Sequence, residues 1–93
     1  MVANMKPFVW SPEKNVWLRE QRGFGFEDVV AAIEEGQVLA DMKRPSSRYP
    51  GQRILVVELG GYAIVVPYVE DESAMFLKTA FPDRKATRRY LGN

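Results

Sequence analysis

The segment "FPDRKATRRYLGN" sets four cations, Arg84, Lys85, Arg88 and Arg89, within six residues. At roughly 100° per residue all four fall within one arc of about 140° on a helix, while Ala86 and Tyr90 face the other way. Arg88 and Arg89 complement the negative end of the helix dipole, but Arg84 and Lys85 stand in the first turn, where the dipole disfavours them. The pairs Arg84 with Arg88 and Lys85 with Arg89 are like charges at i, i+4, each costing about 0.2–0.5 kcal/mol without an intervening anion. A basic first turn beside free helix N–H groups is therefore expected to hold a phosphate.

Other cations stand in apolar surroundings. Arg53 opens the β-branched run "QRILVVEL", and Lys78 interrupts "AMFLKTAF". Each also reads as a cation on the solvated face of an antiparallel strand. Both runs belong to one meander, so a shared sheet face can bring Arg53, Lys78 and Arg84 towards a single phosphate. Glu13 and Lys14 lie near Trp10; here Glu13 suits a helix start, Lys14 a surface position and Trp10 the core. Tyr49, Tyr62, Tyr68 and Tyr90 read as packing residues.

The elements that would position these groups follow from punctuation. "FVW" is a short β-prone run. Ser11 as N-cap, Pro12 at the first helical position and Glu13 behind it predict a helix from Pro12 to Arg22, stopped by Gly23. "FEDVVAAIEEG" repeats apolar Phe26, Val29, Val30 and Ile33 on one stripe and predicts a second helix ended by Gly36. "QVLAD" predicts a short strand, and "MKRPSSRYPG", with Lys43, Arg44 and Arg48, a mobile loop. Gly60-Gly61 between "QRILVVEL" and "YAIVVPYV" predicts a two-residue hairpin. Pro67 belongs on an edge, at a bulge or at a strand end. "AMFLKTAF" predicts the last strand, and Asp83 a cap for the final helix. Helices first and a four-strand antiparallel meander after them define an α+β fold.

Composition narrows the chemistry. Ninety-three residues, 46% hydrophobic, suit one domain spanning 1–93, and a net charge of +1 makes placement of charge matter more than its sum. Residues 74 to 93 carry Lys78, Arg84, Lys85, Arg88 and Arg89 against Asp83 alone. Without cysteine there is no disulfide, thiolate nucleophile or Cys-based zinc site; without histidine the usual proton shuttle near neutral pH is missing. No metal or cofactor site is expected. No signal peptide and no membrane-spanning run is evident, so a soluble cytoplasmic protein that does not bind membranes is expected.

"FVWSPEKNVWLREQRGFGFEDVVAAI" resembles the N-terminal signature of the BrnT family of bacterial toxins, an aromatic-x-Trp-Asp-Pro-x-Lys run leading through a helix to Lys-His-Gly. "DRKATRRYL" is similar to that family's Ser-Ala-Arg-x-Ala-Thr segment with its basic tail, and "QRILVVEL" to its Arg-led strand. Matching positions are Trp10, Pro12, Lys14, Gly23, Phe26, Glu27, Arg53, Arg84, Ala86 and Thr87. Ser11 stands for the usual Asp, Leu18 for Asn, Gln21-Arg22 for Lys-His and Gly25 for Ser.

The resemblance implies a RelE-like fold, with two N-terminal helices packed on a small antiparallel sheet and a short basic C-terminal helix. It implies the toxin half of a type II toxin–antitoxin pair acting as a ribonuclease. A small DNA-binding antitoxin, an RNA substrate and operator DNA bound through the complex would be its partners. A metal-independent endoribonuclease would let the RNA 2′-oxygen attack the adjacent phosphorus, with Arg53 and Arg84 as bidentate phosphate clamps. Lys14 or Lys78 would be a second cation or the proton-transfer group, and Glu13 another base candidate. Lys43, Arg44, Lys85, Arg88 and Arg89 would bind RNA. The alternative is a non-catalytic module using the same basic face for an acidic antitoxin segment or operator DNA.

Overall fold

A computed structural model describes residues 6–44 and 51–92. Strand β1 (Phe8–Val9) runs into α1 (Pro12–Arg22), where the Ser11 hydroxyl accepts the Lys14 N–H at 3.2 Å. Gly23 ends α1 in the left-handed conformation, its N–H returning to the Arg19 carbonyl. Helix α2 (Phe26–Glu34) follows at once. Gly25 makes that tight corner possible, because a Cβ there would stand 2.7 Å from Asn15 Oδ1 and 2.8 Å from the Arg19 guanidinium.

The rest of the chain forms β2 (Val38–Lys43), β3 (Gln52–Leu59), β4 (Tyr62–Glu70), β5 (Met75–Leu77), β6 (Phe81–Pro82) and α3 (Arg84–Leu91). The sheet order is β1-β5-β4-β3-β2, with β6 also paired to β4. Neighbours are antiparallel except β1 and β5, which run parallel. The domain is thus α+β with a mixed sheet, where an all-antiparallel meander is expected from sequence. Gly60 and Gly61 both have positive φ, 62° and 82°, as a two-residue hairpin of this twist requires.

One expectation about the strands is corrected and another is met. "AMFLKTAF" does not form one strand; it divides into β5 and β6, so five strands follow the two helices among the described residues. Pro67 lies inside β4 at a bulge, one of the places expected for it: between the pairs Tyr68 with Leu77 and Val65 with Phe81 the register slips by one, so that Val66 and Pro67 face the three residues 78–80. The two features are linked. The Pro67 carbonyl accepts the Lys78 N–H at 2.9 Å, so the backbone polar groups of Pro67 face the interval between β5 and β6. Its missing N–H falls there, where no continuous ladder asks for a donor. The expected loop "MKRPSSRYPG" starts later than predicted, since Met42 and Lys43 continue β2; residues 45–50, with Arg48 and Tyr49, lie outside the described residues.

Alternation along the strands gives the sheet two apolar faces. On one, Leu55, Val57, Ile64, Val66, Tyr68 and Leu77 enclose Leu18 of α1 and Phe26, Val29 and Ala32 of α2. Each fully buried valine or leucine there contributes about 1.5–3 kcal/mol. Trp10 packs against this core, stacked on Phe26 with ring centroids 5.5 Å apart. On the other face Val56 and Ala63 receive Ala86 of α3, with Ile54, Val65 and Tyr90 partly buried around them.

Candidate functional site

Helix α3 is fixed to the sheet by its polar residues as well as by Ala86. Asp83 caps it, its carboxylate accepting the Ala86 N–H at 2.8 Å, while its own N–H bonds the Ala63 carbonyl. Thr87 is buried, and its hydroxyl accepts the Ala63 N–H at 2.9 Å and donates to the Asp83 carbonyl at 2.8 Å. With Ala86, Thr87 and Tyr90 turned to the sheet, Arg84, Lys85, Arg88 and Arg89 are all exposed. None forms an ion pair with any described residue. Of the first-turn N–H groups expected to seat a phosphate, that of Ala86 is taken by the protein's own Asp83 carboxylate, and the cations lie along the exposed flank of α3.

Beside α3 a cleft of about 540 Å³ opens over the sheet. Met42 of β2, Ile54 and Val56 of β3 and Val65 of β4 make its apolar floor. Lys85, Arg88, Arg89 and Tyr90 line the helix side, and the Arg89 guanidinium stands 5.9 Å from the Tyr90 ring centroid. Arg84 is outside this lining. The same helix thus presents a cationic ridge and, next to it, an unfilled apolar depression.

Arg53 belongs to a different place. It is the cross-strand partner of Tyr68, on the face covered by α1 and α2. Its Nε donates to Asp41 Oδ1 and to the Tyr68 hydroxyl, each at 3.1 Å, and the Tyr68 hydroxyl donates to the same Asp41 oxygen at 2.8 Å. Burial, then the bond to Asp41, pushes the Tyr68 phenol up to about 12. The bonds to Tyr68 and Asp41 likewise raise Arg53 above its ordinary value. Here a carboxylate already faces the guanidinium that was expected to clamp phosphate. Arg53 and Lys43 are cross-strand partners in the register, and Lys43 and Arg44 are exposed.

Arg53, Lys78 and Arg84 therefore do not converge on one phosphate. Arg53 and Arg84 lie on opposite faces of the sheet and apart along it, because the α3 cap Asp83 is bonded to Ala63, roughly 17 Å of strand from Tyr68, the cross-strand partner of Arg53. Lys78 is exposed just beyond the end of β5. Lys14 lies on α1 with its Nζ 4.2 Å from the centroid of Trp17, whose ring also has the Arg22 guanidinium at 5.0 Å. Glu13 is exposed in the first turn of the same helix. What the structure does bring together from the predicted set is Arg84, Lys85, Arg88 and Arg89.

A second polar cluster joins α1 to α2. Buried Asn15 donates to both Glu27 carboxylate oxygens, at 2.9 and 2.8 Å, and accepts the Phe26 N–H at 2.7 Å. Arg19 bonds Glu27 at 2.7 Å and pairs with Asp28 at 3.4 Å. The Asn15 hydrogen bonds, then the backbone and Arg19, hold Glu27 down at about 2. Every strong partner of Glu27 is a structural group, so this cluster is the hinge pin of the helix corner.

Sequence reading missed Tyr68 and Asp41 as partners of Arg53. Tyr68 had a usable signal: it and Arg53 are equidistant from the Gly60-Gly61 turn, which makes them cross-strand partners. Asp41 had none, because the β2 register shifts between Val38 and Ala40. Among the described residues no group of three or more His, Cys, Asp or Glu is arranged to hold a metal ion, and no helix is long and apolar enough to cross a membrane. No family model and no curated protein matches the chain.

Proposed function

We propose that this protein is an RNA-directed toxin of the RelE-like type, which holds the RNA backbone on α3. The observation that carries this reading is the set of four exposed cations on one helix flank, with no acidic partner among the described residues. A like-charged ridge costs less when phosphates lie along it, and Arg84, Lys85, Arg88 and Arg89 supply four such contacts. The resemblance to BrnT toxins adds cleavage to binding: in-line attack by the 2′-oxygen, with these guanidinium and ammonium groups stabilising the phosphorane charge. It also adds a small DNA-binding antitoxin as partner and a complex that binds operator DNA.

A second reading, RNA or partner binding without cleavage, is favoured by the scatter of Lys14, Arg53, Lys78 and Arg84 over two sheet faces and by the Asp41 carboxylate on Arg53. Incubating purified protein with several RNAs, with and without chelator, and mapping the ends separates the two. Chelator-resistant fragments with cyclic-phosphate ends support the nuclease; tight binding with intact RNA supports the binding module. In the nuclease reading a folded Arg84→Ala variant loses both cleavage and growth arrest.

A further inference from the structure

We infer that the cleft beside α3 takes an unstacked base of a single-stranded RNA, with flanking phosphates on Lys85, Arg88 and Arg89. This rests on the RNA reading above and adds the form of RNA that the surface selects.

The cleft joins two properties that a duplex cannot use together. Its floor is apolar, and Met42 remains 38% exposed there although it belongs to a strand. Its helix side is cationic and, among the described residues that line it, has no counter-charge beyond Asp83, which is engaged in capping. A duplex offers phosphates outside and keeps its bases stacked within, so it would leave the depression empty. A single strand carries a flat apolar base beside each phosphate, the same juxtaposition that the cleft presents. Tyr90 and Arg89 supply an aromatic ring and a planar guanidinium on the helix side, both suited to stacking. An acidic amphipathic peptide shares the charge and some apolarity, and its carboxylates can pair with the guanidinium groups, but it offers no base beside each anion to stack on Tyr90.

The test is fluorescence anisotropy of the full chain with a labelled single-stranded oligoribonucleotide and with the duplex of the same sequence, at matched salt. Single-strand binding about tenfold tighter than duplex binding is expected. Tyr90→Leu keeps an apolar side chain against the sheet and removes the ring; it is expected to weaken single-strand binding roughly five- to tenfold, with the salt slope and duplex affinity unchanged. Met42→Thr, at an exposed floor position that bears little on folding, is expected to reduce the single-strand preference as well. Lys85→Gln and Arg88→Gln are each expected to lower the single-strand salt slope by about 0.7.

Equal affinity for both RNA forms, or folded Tyr90→Leu and Met42→Thr proteins that bind like the parent, overturns the base subsite while salt-dependent binding through α3 survives. Absence of salt-dependent binding to either RNA overturns the base subsite and the RNA reading together. A peptide of alternating Glu and Leu that binds the cleft and is not displaced by RNA also overturns it, in favour of a protein occupant.

Discussion

At Tyr68, one hydroxyl joins two strands that the turn chemistry does not connect directly. It bonds Asp41 of β2 and Arg53 of β3 from its position on β4. Tyr68→Phe keeps the buried ring and loses both bonds, and is expected to cost about 0.5–1.5 kcal/mol in urea unfolding. The folded phenol lies at about 12 against an ordinary 10. Its contribution is complete below pH 10 and is lost as pH rises towards 12. The phenylalanine variant should lack that alkaline loss. Glu27 gives the opposite sign: held at about 2 against an ordinary 4.5, it stabilises the fold above pH 4.5 and ceases to as pH falls towards 2. Glu27→Gln is expected to flatten the acid limb of the stability profile; an unchanged acid limb would remove Glu27 from the helix corner. Neither group is legible as a contact from composition. Arg53 opposite Tyr68 follows from the hairpin, whereas Asn15 meeting Glu27 requires the angle between α1 and α2, which no local pattern encodes.

Elements were more legible than contacts where a stop signal coincided with a change of period. The Ser11 cap, Pro12 and Gly23 bound α1 at Pro12–Arg22 as predicted, and β3 occupies the full "QRILVVEL" run. The division of "AMFLKTAF" was hidden, because its cause lies in Pro67 on the neighbouring strand. The α3 register likewise depends on a tertiary bond, Thr87 to the Ala63 N–H. Thr87→Val is nearly isosteric and leaves that buried donor without a partner, so it is expected to destabilise the domain by about 1–3 kcal/mol. Faster amide exchange at Ala63 in the variant is the accompanying signature; stability equal to the parent would show that α3 is held by Ala86 and Tyr90 alone. Asp83 illustrates both sides of legibility: its capping role is readable from position, but that its carboxylate takes the Ala86 N–H, at the end of the helix expected to seat a phosphate, needs the geometry.

For the whole molecule, the arrangement separates two cationic regions by the sheet. Arg53 sits beside Asp41 on the side of α1 and α2, and the α3 ridge stands on the other with its charges uncompensated among the described residues. The concentration of cations near the end of the chain was evident in the sequence, and so was their common arc. Which of them border a cleft was not, since the floor comes from β2, β3 and β4. In the proposed function this ridge binds the RNA backbone. Its most direct test is the affinity for single-stranded RNA as salt rises from about 50 to about 200 mM, comparing the parent with a variant carrying Gln at positions 84, 85, 88 and 89. Four phosphate contacts give the parent a log–log slope near −3 and roughly a fifty-fold loss of affinity, while the folded variant should bind weakly with a slope near zero. A folded variant that keeps the parent's affinity and slope would contradict the assignment of RNA binding to α3.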